Sequence, residues 1–228
     1  MLHTSCRALN LGSKFHGRRL DPSRADMALA RRWLNECEWE HNGLCKTSLG
    51  IQILHTNMKR PLELRVVDVQ SMCLTTIPLG GRYLALSYRW SSSNTNFKTT
   101  NSNIDDLKAM GSLMRYYYDL PTTLQDAIDC TLELGERYVW IDALCIIRDC
   151  KADFVKYVRQ MHRIYNNAII TLVAASLAKS GDTQADGLPG YRSQDGCFMQ
   201  HTAHIQDLDL CTVYAQLGQT IVTNIWSQ

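Results

Sequence analysis

Apolar and polar residues alternate along the chain in segments that predict strands and helices in turn. Residues 61–69 alternate with period two, which predicts a half-exposed strand. Residues 82–90 form a denser apolar strand, which we expect to pair with the first strand or to lie beside it. The polar run that follows at residues 91–96 has no periodicity and predicts a loop.

The central element of the chain is residues 137–149, an apolar run that ends in charged side chains. An amphipathic helix pattern precedes it at residues 122–134, closed by Gly135, and a second follows at residues 152–165. A strand between two crossover helices is a parallel strand that is buried on both faces. We therefore expect residues 137–149 to begin as the central strand of a sheet.

Weaker patterns complete the predicted secondary structure. A helix is predicted over residues 24–36 with Asp21 or Ser23 as its cap, a short helix over residues 103–110, and a buried strand over residues 169–175. The patterns also predict core-facing side chains: Tyr138 and Trp140 in the central strand, Leu124, Ala127, Ile128, Thr131 and Leu132 in the helix before it, and Phe154, Val158, Met161 and Tyr165 in the helix after it.

The order of elements is strand, strand, helix, strand, helix, strand, which predicts an α/β fold. Because crossovers are right-handed, we expect a three-layer sandwich with a mainly parallel sheet, preceded by a small N-terminal helical segment. The predicted division of the chain is a basic tail with the start of the N-terminal helix at 1–32, a Cys/His-containing segment at 33–60, the α/β domain at 61–190, and a poorly specified, truncated C-terminal extension at 191–228.

The composition of the 228 residues narrows the class of protein. A net charge of +2 without a stripe of Lys and Arg argues against a nucleic-acid partner. The longest apolar stretch, residues 168–178, is too short to span a bilayer, and nine scattered cysteines without a secretory signal predict a soluble, cytoplasmic protein with reduced thiols. The first 20 residues carry four Lys and Arg side chains and no acid, which fits either a disordered tail or a transit peptide.

Candidate functional residues gather where the predicted strands end, because ligands of open α/β sheets bind beyond the carboxyl ends of the strands. Asp142 and Asp149 fall at or beyond the end of the central strand. The second strand ends with four side chains at the edge of the polar loop: Ser87, Tyr88, Arg89 and Trp90.

Structural interpretations compete with catalysis at some of these positions. Asp142 can act as a catalytic carboxylate, or it can cap a turn or the next helix, or pair with Arg89. Asp126 is expected to bond a neighbouring loop backbone or a cation. Cys145 stands between two large apolar residues with no histidine near it in sequence, so we expect a buried thiol rather than a nucleophile.

Cys37, His41 and Cys45 form a Cys-x3-His-x3-Cys pattern near the N-terminus. Structural zinc sites take four such ligands, usually as two separated pairs. The nearest candidate for a fourth ligand is His55. The pattern therefore leaves two interpretations open, a zinc site and a packed helix end with free thiols.

Four stretches stand in order along the chain and carry a resemblance. They are Tyr83-Leu-Ala-Leu-Ser-Tyr-Arg-Trp90, Leu120-Pro-Thr-Thr-Leu-Gln-Asp-Ala-Ile128, Tyr138-Val-Trp-Ile-Asp-Ala-Leu-Cys-Ile146 and Met161-His-Arg-Ile-Tyr-Asn-Asn-Ala168. Together they resemble the HET domain of fungal heterokaryon-incompatibility proteins. The Cys/His-containing segment that starts at Trp33 resembles one often found just upstream in that family, so the resemblance covers residues 33–190.

The resemblance implies a role in non-self recognition and programmed cell death when incompatible fungal cells fuse. It also implies a fold similar to the TIR domain, a flavodoxin-like α/β module. Because some TIR domains cleave NAD⁺ and others act only as assembly modules, two functions follow. One is a signalling or assembly module that binds protein partners of an incompatibility system and associates with itself. The other is a TIR-like NAD⁺ glycohydrolase.

Cleavage of NAD⁺ breaks the bond between ribose and nicotinamide through an oxocarbenium-like state, as in glycoside hydrolysis. Such a reaction needs a carboxylate, and the candidates are Asp142, then Asp149 and Asp153. Tyr88 and Trp90 can form an aromatic wall for nicotinamide, and Arg89 can contact a phosphate. A Rossmann oxidoreductase is excluded, since no Gly-x-Gly-x-x-Gly follows any strand and no phosphate-loop motif occurs.

Departures from the usual family pattern bear on the choice between these functions. Ser91 stands where glycine is usual, Arg148 replaces a usual glutamine, and Tyr157 replaces a usual glutamate. Arg148 is also a candidate ligand-binding residue, one of the charged residues gathered beyond the central strand. The chain also ends before a Trp- and Gln-Glu-containing motif that is usual further along. Tyr157 and the early end favour the assembly module.

Overall fold

The computed structural model describes residues 21, 24–39, 63–89, 97–175 and 187–192, together with the backbone of three strands at 2–4, 202–205 and 208–212. The chain divides into two compact units, Met1–Ser23 with Cys197–Gln228, and Arg24–Gly196. None of the helices in the described ranges combines the length and the apolar character that crossing a membrane requires.

The described residues alternate strands with helices. In chain order the elements are β1 (Leu2–Thr4), α1 (Met27–Trp39), β2 (Arg65–Asp68), β3 (Cys73–Thr76), β4 (Leu84–Tyr88), α2 (Ile104–Leu107), α3 (Ser112–Tyr116), a 3-10 turn (Tyr117–Asp119), α4 (Thr122–Glu133), β5 (Tyr138–Trp140), α5 (Asp142–Cys145), α6 (Lys151–Asn167), β6 (Ile170–Ala174), β7 (Thr202–Ile205) and β8 (Leu208–Thr212).

The smaller unit contains a three-stranded antiparallel sheet. β8 lies in its middle and pairs with β1 on one side and with β7 on the other. The hydrophobic pattern indicated no strand in either terminal segment. These strands have only three to five residues each, which is at or below the shortest run over which an alternating pattern indicates a strand.

The five-stranded sheet of the larger unit has the order β3-β2-β5-β4-β6. β4 runs parallel to β5 and β6, whereas β2 runs antiparallel to β3 and β5. The sheet is therefore mixed: β3, β5, β4 and β6 run in one direction and β2 runs against them, so two of the four pairings are parallel and two are antiparallel. The expected α/β fold is confirmed, and the expectation of a mainly parallel sheet holds for the strand directions but not for the pairings. The expectation that β4 pairs with the first strand is wrong, because β5 lies between them. β2 instead gives its other edge to β3 in a tight hairpin that the pattern did not indicate.

The central strands β4 and β5 are covered on both faces of the sheet. Successive side chains of a strand point to opposite faces, and Leu84, Ala85 and Leu86 are all fully buried, as are Val139 and Trp140. The crossovers β4–α4–β5 and β5–α6–β6 run in opposite directions along the sheet. Right-handed connections then bring α4 and α6 to opposite faces, which accounts for the burial on both sides.

Asp68 closes the turn of the β2–β3 hairpin. Its Oδ1 accepts hydrogen bonds from the backbone N–H groups of Gln70 and Ser71 at 3.1 Å, and Arg137 donates to both carboxylate oxygens at 2.7–3.1 Å. Burial by itself raises the pKa of Asp68, but the bonds from Arg137 and Ser71 outweigh burial and hold the pKa below its usual range. Since Arg137 directly precedes β5, this contact ties the hairpin to the central strand.

Residues 187–192, here named the strap, are attached to α4 by Asp126. This fully buried carboxylate accepts the N–H of Leu188 at 2.8 Å, and its other oxygen lies 3.3 Å from Nε of Arg192. The expectation that Asp126 bonds a neighbouring loop is therefore confirmed. Gly187 has a φ of +113°, and a Cβ there would lie 2.6 Å from Oδ2 of Asp126, so the position requires glycine on two grounds. Burial raises the pKa of Asp126, opposed by Leu188 and Arg192.

α1 begins three residues later than the pattern indicated. The side chain of Asp26 accepts the N–H of Leu29 at 2.9 Å, which is the geometry of an N-cap. Asp26 therefore caps the helix, rather than the predicted Asp21 or Ser23. α4 agrees more closely with its prediction, since Pro121 precedes it and Gly135 follows it with a φ of +79°.

The buried sides of the two long helices agree only in part with the predicted stripes. α4 buries the predicted residues except Leu132, which is exposed. α6 buries Tyr157 and Ile164, whereas the predicted Phe154 and Val158 are 40% and 43% exposed. These two residues lie on the flank of the buried side, where apolar character imitates a core stripe. The predictions for Leu132, Phe154 and Val158 are therefore wrong.

Two strands differ from the predicted burial because of their places in the sheet. β2 was expected to be half-exposed, but it lies inside the sheet between β3 and β5 and is buried apart from its first residue. β6 was expected to be buried, but it is the edge strand next to β4 and is only partly covered.

The two buried carboxylates Asp68 and Asp126 predict opposite dependences of stability on pH. The pKa of Asp68 lies below the ordinary value of 3.8, so its stabilising effect is present above that value and is lost as the pH falls. The pKa of Asp126 lies above 3.8, so its stabilising effect is present at low pH and is lost as the pH rises through the folded pKa.

Asp68→Asn should therefore lower the free energy of unfolding most at neutral pH. Asp126→Asn should lower it most at acidic pH. Urea unfolding of the three proteins between about pH 3 and pH 7 measures this difference. If the stability of both variants changed with pH in the same direction relative to the wild type, the opposite pKa shifts of Asp68 and Asp126 would be contradicted.

Candidate functional site

The carboxyl ends of β4 and β5 meet at one edge of the sheet. The parallel register aligns Ala85 with Trp140. β4 then continues to Ser87 and Tyr88, and β5 continues to Asp142, the first residue of α5. Three of the candidate residues are thus brought together by strand pairing alone.

Asp142 is held by two side chains at this edge. Nη2 of Arg148 donates to Oδ2 of Asp142 at 3.1 Å, and Tyr88 hydrogen-bonds the same carboxylate. The side chains of Arg148 and Asp142 are only 19% and 16% exposed, so salt screens the pair little. Arg148 thus supplies the ion pair that the sequence suggested for Arg89, whose side chain is exposed.

Tyr88 stays a neutral hydrogen-bond donor in this arrangement. Burial raises the pKa of Tyr88, and the negative charge of Asp142 and the hydrogen bond to it raise the pKa further. The charge of Arg148 acts in the opposite direction and does not offset these effects. A phenol of this kind can hold a carboxylate in place, but it does not act as a base at neutral pH.

Tyr165 joins the site, although the sequence analysis assigned it only to the core. Its hydroxyl donates to the carbonyl of Leu86 at 3.1 Å and also bonds the side chain of Ser87. Burial raises the pKa of Tyr165, and the charge of Asp142 adds to the rise. The ring meets Trp140 edge-on with centroids 5.5 Å apart. The signal that could have identified Tyr165 is its place in the Met161–Ala168 motif.

Thr99 connects the loop after β4 to the segment after β5. Its N–H donates to the carbonyl of Ala143 at 3.1 Å and its hydroxyl donates to the carbonyl of Leu144 at 2.6 Å. The N–H of Arg148 in turn donates to the carbonyl of Thr99 at 2.9 Å. Thr99 is fully buried and holds the backbone that carries Arg148. Nothing in the sequence indicated this role.

Asp149 and Asp153, the other two candidate carboxylates, accept hydrogen bonds from nearby backbone groups. Asp149 is exposed and accepts the N–H of Asn101 at 2.8 Å, at the start of the turn before α2. Asp153 accepts the N–H of Ile147 at 2.8 Å and forms two hydrogen bonds, of 3.1 and 3.2 Å, with Arg65. Both carboxylates therefore order the segments around the strand ends.

Cys145 is fully buried and does not have the character of a nucleophile. Burial raises the pKa of its thiol to about 12, so the thiolate is scarce at neutral pH. Its carbonyl accepts a hydrogen bond from Nη1 of Arg65 at 2.9 Å.

Tyr157, which stands in place of the glutamate usual in the resembled family, is a packed core residue. Its hydroxyl accepts the backbone N–H of Arg65 at 2.9 Å, and its ring lies 5.6 Å from the guanidinium of Arg65. Burial raises the pKa of Tyr157 to about 12. This side chain joins α6 to β2 and interacts with Arg65, Cys145 and Asp153.

Some predicted site residues fall outside the described part of the chain. Trp90, His41 and Cys45 lie there, while Cys37 is a half-buried residue of α1. Within the described ranges, no group of three or more His, Cys, Asp or Glu side chains is arranged to hold a metal ion. The zinc site at Cys37, His41 and Cys45 therefore stays a prediction.

Comparison with known proteins gives one result. A family model described as Heterokaryon incompatibility protein (HET) matches residues 83–227, which is more than half of the chain. The match contains β4, β5, α6 and the residues around Asp142, whereas Arg65 and Cys37 lie before it. Searches of curated proteins and of solved structures find no match.

The ion pair at the strand ends predicts strong coupling between Asp142 and Arg148. Arg148→Met removes the cation beside a mostly buried carboxylate and should destabilise the chain by about 2–4 kcal/mol. Asp142→Asn should cost about 1–2 kcal/mol. The double variant should cost less than the two single changes together, with a coupling of about 1–3 kcal/mol in urea unfolding. Additive effects would mean that the two side chains do not interact in the folded protein.

Tyr157→Glu should destabilise the chain, because it buries a carboxylate beside Asp153, whose charge is of the same sign. The expected loss is about 3 kcal/mol or more. Tyr157→Phe is the matched control, since it keeps the packing and removes only the acceptor of the Arg65 N–H. It should lower the free energy of unfolding by about 1–2 kcal/mol. Thermal unfolding compares the three proteins, and a Glu variant as stable as the wild type would refute the packing role.

Proposed function

The chain belongs to the heterokaryon incompatibility (HET) family, and we propose that it acts as a signalling and assembly module in fungal non-self recognition and programmed cell death. In this proposal the protein works in the cytoplasm by binding protein partners of an incompatibility system, including further copies of itself. It does not need to turn over a substrate.

The observation that carries this proposal is the engagement of the acidic side chains at the strand ends. Asp142 bonds Arg148 and Tyr88, Asp149 accepts a backbone N–H, and Asp153 bonds Arg65 and a second backbone N–H. A carboxylate that stabilises an oxocarbenium-like charge has to face the sugar instead of an arginine. The site therefore has the character of a structural cluster that holds the loops in a fixed shape.

The topology supports the TIR-like, flavodoxin-like part of the proposal. The parallel strands stand in the order β5-β4-β6, with β4 first in the chain, β5 second and β6 third. This is the 2-1-3 order with which flavodoxin-like sheets begin. The antiparallel strands β2 and β3 extend the sheet on the β5 side and are not part of that pattern.

The segment between β4 and α4 offers an apolar surface for association. Met110, Met114 and Tyr118 lie within nine residues, and all three side chains are exposed. We name them the 110–118 surface. Contiguous exposed apolar patches mark protein-binding surfaces, and in this proposal the three side chains form such a patch. The neighbouring ion pair of Arg115 with Asp106 supplies a polar rim.

A second candidate, an NAD⁺ glycohydrolase, is favoured by one observation. Tyr88, Asp142 and Arg148 meet beyond the carboxyl ends of parallel strands, where α/β sheets bind their ligands. For this function an incoming phosphate would draw Arg148 away from Asp142 and leave the carboxylate to face the ribose. Asp149 would then lie nearby at the surface.

The assembly proposal predicts reversible self-association without loss of NAD⁺. Sedimentation of the purified chain over a range of concentrations measures association, and nicotinamide release is measured in the same samples. A variant with Met110→Ser, Met114→Ser and Tyr118→Ser should associate at least about tenfold more weakly. Leu79→Ser is the control, because it also removes an exposed large apolar side chain and lies outside the 110–118 surface.

Two outcomes would contradict the assembly proposal. If the chain sediments as a monomer at every concentration, the self-association in this proposal is refuted. Nicotinamide release that Asp142→Asn abolishes and Asp149→Asn leaves intact would establish the glycohydrolase instead, with Asp142 as its carboxylate.

A further inference from the structure

α1 contacts the C-terminal end of α4 through arginine side chains. Nε of Arg31 donates to the carbonyl of Leu134 at 3.1 Å, and Nη2 of Arg31 donates to the carbonyl of Glu133. Arg24, just before the helix, forms an ion pair with the carboxylate of Glu133. A guanidinium at the end of a helix is favourable, because the last carbonyls lack partners inside the helix and carry partial negative charge.

Polar contacts also fix the two ends of α1. Near its C-terminus, Glu38 lies 2.7 Å from the guanidinium of Arg82, shortly before β4. Before its first turn, the N–H of Ala25 donates to the carbonyl of Gly190 in the strap at 2.6 Å. The attachment is therefore spread along the whole helix and made by charges and backbone groups.

The apolar contribution to this attachment is small. Leu29 is the buried residue of α1, and Met27 and Ala30 are partly buried against the core. The two tryptophans of the helix, Trp33 and Trp39, are 58% and 82% exposed. Because the hydrophobic effect scales with the apolar area removed from water, it holds α1 only weakly.

The two charged side chains that bind this segment, Glu133 and Arg82, each have a second partner in the rest of the larger unit. Glu133 also accepts the hydroxyl of Tyr191 at 2.8 Å, and Arg82 also pairs with Glu136 at 2.5 Å. Breaking an ion pair is expensive chiefly when one charge stays buried without a partner. Departure of α1 therefore leaves neither Glu133 nor Arg82 without a partner among the described residues.

We infer that α1 is a detachable cover, a helix that separates from the larger unit while the five-stranded sheet stays folded, and that rising ionic strength releases it. Residues 83–227 match the family, so α1 lies outside the match whereas α4 and the strap lie inside it. Release uncovers the C-terminal end of α4 and the turn leading into β5. This inference does not depend on the proposed function.

Hydrogen exchange of the full chain, followed by mass spectrometry, tests the inference. Between low salt and about 1 M sodium chloride, α1 peptides should exchange at least about fivefold faster, while β4 and β5 peptides stay protected. Arg31→Ala should produce the same acceleration at low salt. Arg32→Ala is the matched control and should not, because Arg32 pairs with Glu36 inside the same helix at 3.5 Å.

Three results would overturn the detachable cover. Exchange of α1 in step with β4 at every salt concentration would mean that the helix unfolds only with the sheet. Exchange of α1 that does not respond to salt would mean that charge does not hold it. Equal acceleration by Arg31→Ala and Arg32→Ala would mean that the contacts of Arg31 with α4 contribute nothing. If Arg31→Ala unfolds the whole chain, the salt series on the wild type decides alone.

Discussion

Because β4 and β5 are covered on both faces, their side chains are apolar and the polar groups of this region are displaced to the strand ends. At the carboxyl ends these groups form the cluster around Asp142 and Arg148. At the amino ends they form the contacts of Arg82 and Arg137 with nearby carboxylates. These charged groups thus lie at two opposite edges of one buried layer.

Both edges are held by ion pairs, but the pairs at the two edges have different effects. At the carboxyl edge the ion pair is shielded from water, and neighbouring backbone bonds through Thr99 fix the segments that carry it. At the amino edge Arg24 and Glu38 pair with Glu133 and Arg82, which have second partners in Tyr191 and Glu136. A shielded pair resists salt and holds a fixed geometry, whereas exposed pairs are exchanged at little cost. The first edge suits a permanent structure and the second an adjustable one.

The sequence predicted the elements whose signals are local. Gly135 and the flanking helical patterns located the central strand, and the end of that strand located the candidate site. The order of the strands could not be predicted, since it depends on β3, a strand of four residues whose pairing leaves no mark in the hydrophobic pattern. Thr99 was missed because its bonds go to backbone carbonyls, which every residue carries. Arg148 was weighed as a ligand-binding residue, but its pairing with Asp142 depends on how the chain turns after α5.

The place of β4 between β5 and β6 has a consequence for synthesis on the ribosome. Leu84 pairs with Val139 on one side and with Ile170 on the other, so β4 leaves the exit tunnel long before either partner strand has been made. During that interval its two edges and its apolar side chains have no permanent cover, and such segments favour aggregation. Until translation has passed β6, a nascent chain of this fold therefore carries β4 without both of its partner strands.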